Sequence, residues 1–140
     1  MSLLHVFNIA GSAMNAQSLR LNTTASNLAN AESVAGSEVE AYRARQPVFA
    51  AALKASQAGA NEAAGVGVRV QGIVESEAPV QALYQPDHPM ADGNGYVYRS
   101  NVNAVEEMTN MISASRSFQN NVEVMNTSRE LLLQTLRLGQ

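Results

Sequence analysis

The sequence contains no cysteine among its 140 residues, which excludes disulfides, thiolate nucleophiles and cysteine-ligated metal. No apolar run approaches the roughly 20 residues needed to cross a bilayer as a helix. Basic residues are few: 9 Lys and Arg stand against 12 Asp and Glu, and a formal charge of −3 leaves no electrostatic footprint for nucleic acid or acidic lipid. The start, Met1-Ser2-Leu3-Leu4-His5, lacks the basic n-region of a secretory signal, and the residues after it are amphipathic rather than uniformly apolar. No Gly-x-Ser-x-Gly elbow is present. Gly65-Val66-Gly67 lacks the spaced third glycine of a phosphate loop and opens an extended run, not a helix. The missing cysteines also suit a chain that crosses compartments unfolded.

What the sequence does contain is a pair of helical ends. Its apolar fraction, 46%, is that of an ordinary globular chain. From about Leu3 to Ala31 a stripe at alternating steps of three and four runs Leu4, Phe7, Gly11, Met14, Ser18, Leu21, Ala25, Leu28. From about Asn103 to Leu138 a second runs Met108, Met111, Ser115, Phe118, Val122, Met125, Arg129, Leu132, Leu136. That spacing holds a narrow seam on one face of each helix, as in a coiled coil. Between Leu3 and Ala31 the only permanent charge is Arg20, so the first helix lacks the charged outer face of a surface helix. It is marginal alone and needs either neighbouring subunits or its own domain around it. The second helix, continuous to Leu138, is about 50 Å long, whereas a compact domain of this size is roughly 35–40 Å across. It must protrude, and its seam needs a partner. Asn103 suits its N-cap with Glu106 completing a box-like pattern, and Gly139 suits its stop, with Arg137 in the last turn.

The middle changes period from about 3.5 to 2. Extended runs are expected from Tyr42 to Phe49, from Val66 to Val74, from Pro79 to Tyr84 and across Tyr96-Val97-Tyr98. Glu32 to Ser37 reads as a loop, and residues 55–65 as a small, polar, mobile connection. The fold class is therefore α+β: long terminal helices pairing as a coiled coil, with a small irregular β-rich insertion between them. The divisions fall at 1–33, 34–100 and 101–140.

One cluster resembles a catalytic or metal site. Asp87, His88 and Asp92 place carboxylates beside an imidazole, a combination that can ligate metal or exchange protons. Pro86, Pro89 and Gly93 make the same segment a turn first, and the only other histidine is His5. A small enzyme centred there is the lesser reading. No cofactor, metal or small-molecule substrate is expected.

Specific residues carry a family resemblance. Phe7-Asn8-Ile9-Ala10-Gly11-Ser12-Ala13-Met14, with Gln17, Arg20-Leu21-Asn22 and Ala25-Ser26-Asn27-Leu28-Ala29-Asn30-Ala31, is similar to the N-terminal signature of bacterial flagellar rod and hook axial proteins. Asn101-Val102-Asn103, Val105-Glu106-Glu107-Met108 and Met111 through Gln119, continuing to Thr127 and Thr135-Leu136-Arg137-Leu138-Gly139, resemble the C-terminal one. With Gly72 to Glu75, Tyr84, Pro86, His88-Pro89 and Gly95-Tyr96-Val97, the likeness is to proximal-rod members and covers nearly the whole chain. Ser33 stands where that signature usually has threonine, and it retains the hydroxyl. The resemblance implies a structural axial subunit, exported unfolded through the flagellar type III apparatus without a cleaved signal, that stacks in the periplasm into a tubular drive shaft. Implied partners are copies of itself, other rod subunits and adjoining basal-body components. The expected assembly seam is Leu4, Phe7, Met14, Leu21, Leu28, Met108, Met111, Phe118, Val122, Met125, Leu132 and Leu136. A tube or needle component of another export apparatus would share such helical ends.

Overall fold

The computed structural model describes residues 3–52 and 66–138. The expected connection at 55–65, the Gly139 stop and the side chain of Leu4 lie outside what is described. Helix α1 runs Leu3–Ala29 and helix α2 runs Ala104–Leu138. The α1 helix stops where side chains begin to compete for its carbonyls: Asn30 Nδ2 donates to Ser26 O at 2.8 Å and Ser33 Oγ to Asn30 O at 2.8 Å. At the start of α2, Asn103 Oδ1 accepts from the backbone N–H of Val105 at 3.1 Å and of Glu106 at 3.4 Å. Among the described residues only this asparagine half of the capping box forms.

Five strands lie between the helices: β1 (Val34–Ala35), β2 (Arg45–Ala52), β3 (Gly67–Glu75), β4 (Gln81–Tyr84) and β5 (Tyr96–Arg99). They form two antiparallel sheets, one of order β1-β5-β4 and one hairpin, β2-β3. The fold class is α+β. In the hairpin, Val48 faces Gly72 whereas Phe49 faces Val70, so Gln71 is an extra residue on β3 that twists the pair. The two-residue strand β1 occupies part of the segment read as a loop. It pairs Val34 with Arg99, and Ser100 N donates to Ser33 O, tying the end of α1 to the start of α2.

That junction fixes the relative direction of the helices. The end of α1 and the start of α2 share β1 and β5, and Arg20 Nη2 donates to Asn110 Oδ1 at 3.1 Å further along. The two helices therefore pack antiparallel. With Arg20 opposite Asn110 and equal rise per residue, Leu3 faces about residue 127 of α2. Among the described residues, α2 extends roughly 16 Å past that level of α1.

The interior is built from small residues. Buried apolar side chains include Ala10, Ala16, Ala31, Ala41, Ala44 and Ala114, and the largest fully buried ones are Val97, Asn27 and Ser100. Small side chains bring backbones close but bury little apolar area each, so hydrogen bonds carry much of the joining between layers.

Candidate functional site

The helix pair holds nearly every residue expected to act. Phe7, Met14, Leu21 and Leu28 on α1 are half-buried, as are Met111, Phe118, Val122, Met125 and Leu132 on α2; Met108 and Leu136 are exposed. The buried positions are different residues. On α1 they are Ala10, Ala16, Thr23, Thr24 and Asn27, of which Ala10 and Thr24 have half-buried Gln17 midway at the same seven-residue interval, and on α2 they are Glu107, Ala114 and Ser128. This small and polar stripe lies three residues after the large apolar series on α1 and one residue before the expected seam on α2. Reading for hydrophobicity passes over it, because alanine, threonine and glutamate rank low. The seven-residue spacing was the signal that could have found it. The buried side chains of the two helices are thus small or polar, and most of the large apolar groups of the expected seam are half-buried. The side-chain oxygen Oε1 of Gln17 is buried without a donor among the described residues.

Two sites bolt α1 to the hairpin. Asn27 is fully buried, and its amide reads the backbone of Arg45 from both sides: Nδ2 donates to Arg45 O at 2.8 Å while Oδ1 accepts from Arg45 N at 2.9 Å. The same Oδ1 accepts from Tyr42 Oη at 3.0 Å, and Ser26 Oγ lies 3.2 Å from that hydroxyl. A side-chain amide here imitates a neighbouring strand. Nearer the start of α1, Ser12 Oγ donates to Ile9 O at 2.8 Å and accepts from Val68 N at 3.1 Å. A Cβ at Gly67 would lie 3.0 Å from that oxygen, a tight contact that glycine avoids. The uncharged polar side chains of α1 are partly consumed by these internal bonds. Asn101 extends the arrangement by accepting from Ala44 N at 2.7 Å and donating to Ala78 O at 2.8 Å.

The Asp87–His88–Asp92 cluster organises a turn. Asp92 Oδ1 accepts from the N–H groups of Asn94 at 2.9 Å and Tyr96 at 2.8 Å, and Oδ2 accepts from Tyr98 Oη at 3.4 Å. The Tyr96 N–H foremost holds the Asp92 carboxyl below its usual range. Loss of hydration, and then the Asp92 charge, push the Tyr98 hydroxyl up. His88 Nδ1 accepts from Met90 N at 3.1 Å, which occupies a nitrogen that ligation or proton exchange would use. Asp87 is exposed. Gly95 closes the turn at φ +82°, a conformation that suits glycine, under the edge-to-face pair Tyr84–Tyr96. Among the described residues, no three His, Asp or Glu side chains group closely enough to hold a metal ion, and no helix is long and apolar enough to cross a membrane.

Residues 7–36 match the family described as flagella basal body rod protein, and residues 94–138 match the family described as flagellar basal body rod FlgEFG protein C-terminal. The chain is 52% identical over 140 residues to the flagellar basal-body rod protein FlgC of Salmonella typhimurium, covering 100% of both chains. It is likewise 52% identical to the FlgC of Yersinia enterocolitica over 140 residues, and 43% identical over 143 residues to that of Buchnera aphidicola subsp. Acyrthosiphon pisum, again with 100% coverage of each.

Proposed function

Because the chain belongs to the FlgC-type family of flagellar basal-body rod proteins and is a structural rod subunit of the flagellar basal body, we propose that it builds the proximal part of that rod through its terminal helices. The observation that carries this reading is the inside-out character of the helix pair. Its buried residues include Ala10, Ala114 and Ser128, while Met108, Ile112, Leu131 and Leu136 are 47%, 57%, 51% and 61% exposed on α2. Leucine and methionine left in water at that frequency on one helix favour a partner, at about 25 cal/mol per Å² of apolar surface covered. In this proposal the seam residues named from the sequence pack against neighbouring subunits in a coiled-coil layer, and residues 34–100 face outward.

Partners in this reading are further copies of the chain, other rod subunits and adjoining basal-body components. Delivery runs through the flagellar type III export apparatus without a cleaved signal, and the assembled rod crosses the periplasm and transmits torque. The role is mechanical rather than enzymatic. The Asp92 and His88 bonds support that view, since Asp92 Oδ1 and His88 Nδ1 accept from backbone N–H groups of the turn and Asp92 Oδ2 from the Tyr98 hydroxyl. Imaging purified basal bodies that carry a tagged chain tests the placement. Density for the tag at the base of the rod is the expected result, and its location in another part of the flagellum would overturn the proximal assignment.

A further inference from the structure

The turn between β4 and β5 carries the one Asn-Gly step in the chain, Asn94-Gly95. Asparagine before glycine is the pair most prone to cyclise, because no Cβ on the second residue shields its amide nitrogen. The reaction needs only the chain and water. Gly95 N attacks Asn94 Cγ, a new N–Cγ bond forms as Gly95 gives up its amide proton, and the Cγ–Nδ2 bond breaks so that ammonia leaves with that proton. Water then opens the succinimide at either carbonyl, leaving aspartate or isoaspartate.

Asn94 is exposed to that water, yet the fold holds the attacking nitrogen back. Gly95 N donates to Asp92 O at 3.0 Å. A turn closed by such a bond keeps its third residue, here Asn94, at a ψ of about 0°. Ring closure demands roughly a third of a turn about that bond, to swing Gly95 N onto the Asn94 side chain. Contacts on both sides resist the swing. Asp92 Oδ1 accepts from Asn94 N at 2.9 Å and from Tyr96 N at 2.8 Å, and Gln85 N donates to Gly95 O at 2.8 Å. Tyr84 and Pro86 lie so near that a Cβ on Gly95 would be 3.0 Å and 3.2 Å from them. The Asp92 carboxylate also opposes the build-up of negative charge on Gly95 N.

We propose that Asn94 is a modification site gated by folding: it deamidates in the unfolded chain, and the Asp92 turn suppresses the reaction once β4 and β5 have paired. The products make the gate one-way. Aspartate at position 94 sets a second carboxylate two residues from Asp92. Isoaspartate lengthens the main chain by a methylene between the two N–H groups that Asp92 Oδ1 holds, so the turn no longer closes in register with Tyr84 opposite Tyr96. A chain that waits unfolded thereby loses the turn it needs. The inference rests on this turn alone and stands apart from the rod assignment.

Peptide mapping by mass spectrometry of the full chain, incubated at mildly alkaline pH with and without urea, is the test. In urea the peptide holding Asn94 should gain the mass of an amide-to-acid conversion and separate into aspartate and isoaspartate forms. In native buffer the conversion should be at least about tenfold slower. Asp92→Ala removes the bonds from Asn94 N and Tyr96 N, so its conversion in native buffer should approach the rate in urea while circular dichroism shows the helices intact. Gly95→Ala should slow conversion in urea, where no fold protects, because a Cβ then crowds the nitrogen. Hydrogen exchange at the Gly95 amide reads the same turn in the unaltered protein and should be slower than in an unfolded reference. Equal conversion with and without urea, no conversion in urea, or an unprotected Gly95 amide overturns the inference. So does an Asp92→Ala chain as protected as the intact one, or a Gly95→Ala chain that converts in urea as fast. Normal recovery of the protein in basal bodies alongside any of these results leaves the rod assignment intact.

Discussion

Asn27 shows how much a single polar side chain does in an interior of alanine. Its amide satisfies the N–H and C=O of Arg45 and the hydroxyl of Tyr42 together. Asn27→Ala leaves these groups buried and unpaired, so stability should fall by about 2–4 kcal/mol in a urea titration. Asn27→Asp should be at least as harmful, because an acceptor replaces the donor facing Arg45 O. At Gly95 the positive φ and the 3.0 Å approach of Tyr84 to an added Cβ give Gly95→Ala an expected cost of about 1–2 kcal/mol. Asp92 makes the same turn sensitive to acid. Its folded carboxyl titrates below the usual 3.8, so its contribution is present above that value and lost as pH falls through the lower folded one. Tyr98 works in the other direction: raised above 10.0, its contribution is present below that value and lost as alkali passes the folded one. Following Tyr96 and Tyr98 amide shifts by NMR against pH checks both limits, and Asp92→Asn should remove the acid transition. The sequence identified this segment as a turn from its prolines and glycine. It could not give the bonding of Asp92, which depends on where Tyr98 comes back in β5.

Among elements, the two helices were the most legible because a seven-residue rhythm over 27 and 35 residues is a long signal. The α+β class followed from the switch to period two at Val66 to Val74. Strand β1 escaped notice, since two residues carry no period and its pairing partner lies more than 60 positions away. The buried stripe of the helix pair escaped for a different reason. Apolar pattern marks which face is greasy, whereas the buried positions here include small side chains such as Ala10, Ala114 and Ser128. The role of Asn27 also depends on tertiary placement, as its partner is β2. These differences bear on the seam. Phe118→Asp puts a carboxylate on the edge of the pair, where one side is still wet, so the isolated chain should fold with modest loss while incorporation into basal bodies fails. Circular dichroism and a motility assay together separate the two effects, and normal swimming would remove Phe118 from the assembly surface.

At the scale of the whole molecule, stability should fall along α2. From Ala104 to about residue 127 the helix is backed by α1, and among the described residues α1 reaches no further, so hydrogen exchange of the isolated chain should slow near Ala114 and quicken from Arg129 onward. Uniform protection along the helix would mean that the end of α2 is already covered. His88→Ala offers a contrasting control: it removes one local bond to Met90 N, so assembly and swimming should survive. Loss of function in an assembled His88→Ala subunit would reopen the chemical reading of that turn.

The two bolts on α1 have a mechanical consequence. Ser12 grips β3 and Asn27 grips the start of β2, about 22 Å apart along the helix. A plate pinned at one point swivels about the pin. Pinned at two, it turns only with the shaft that carries it. Twist applied to α1 therefore reaches the hairpin without slip, and loosening either pin alone should leave a subunit that still assembles but yields under load.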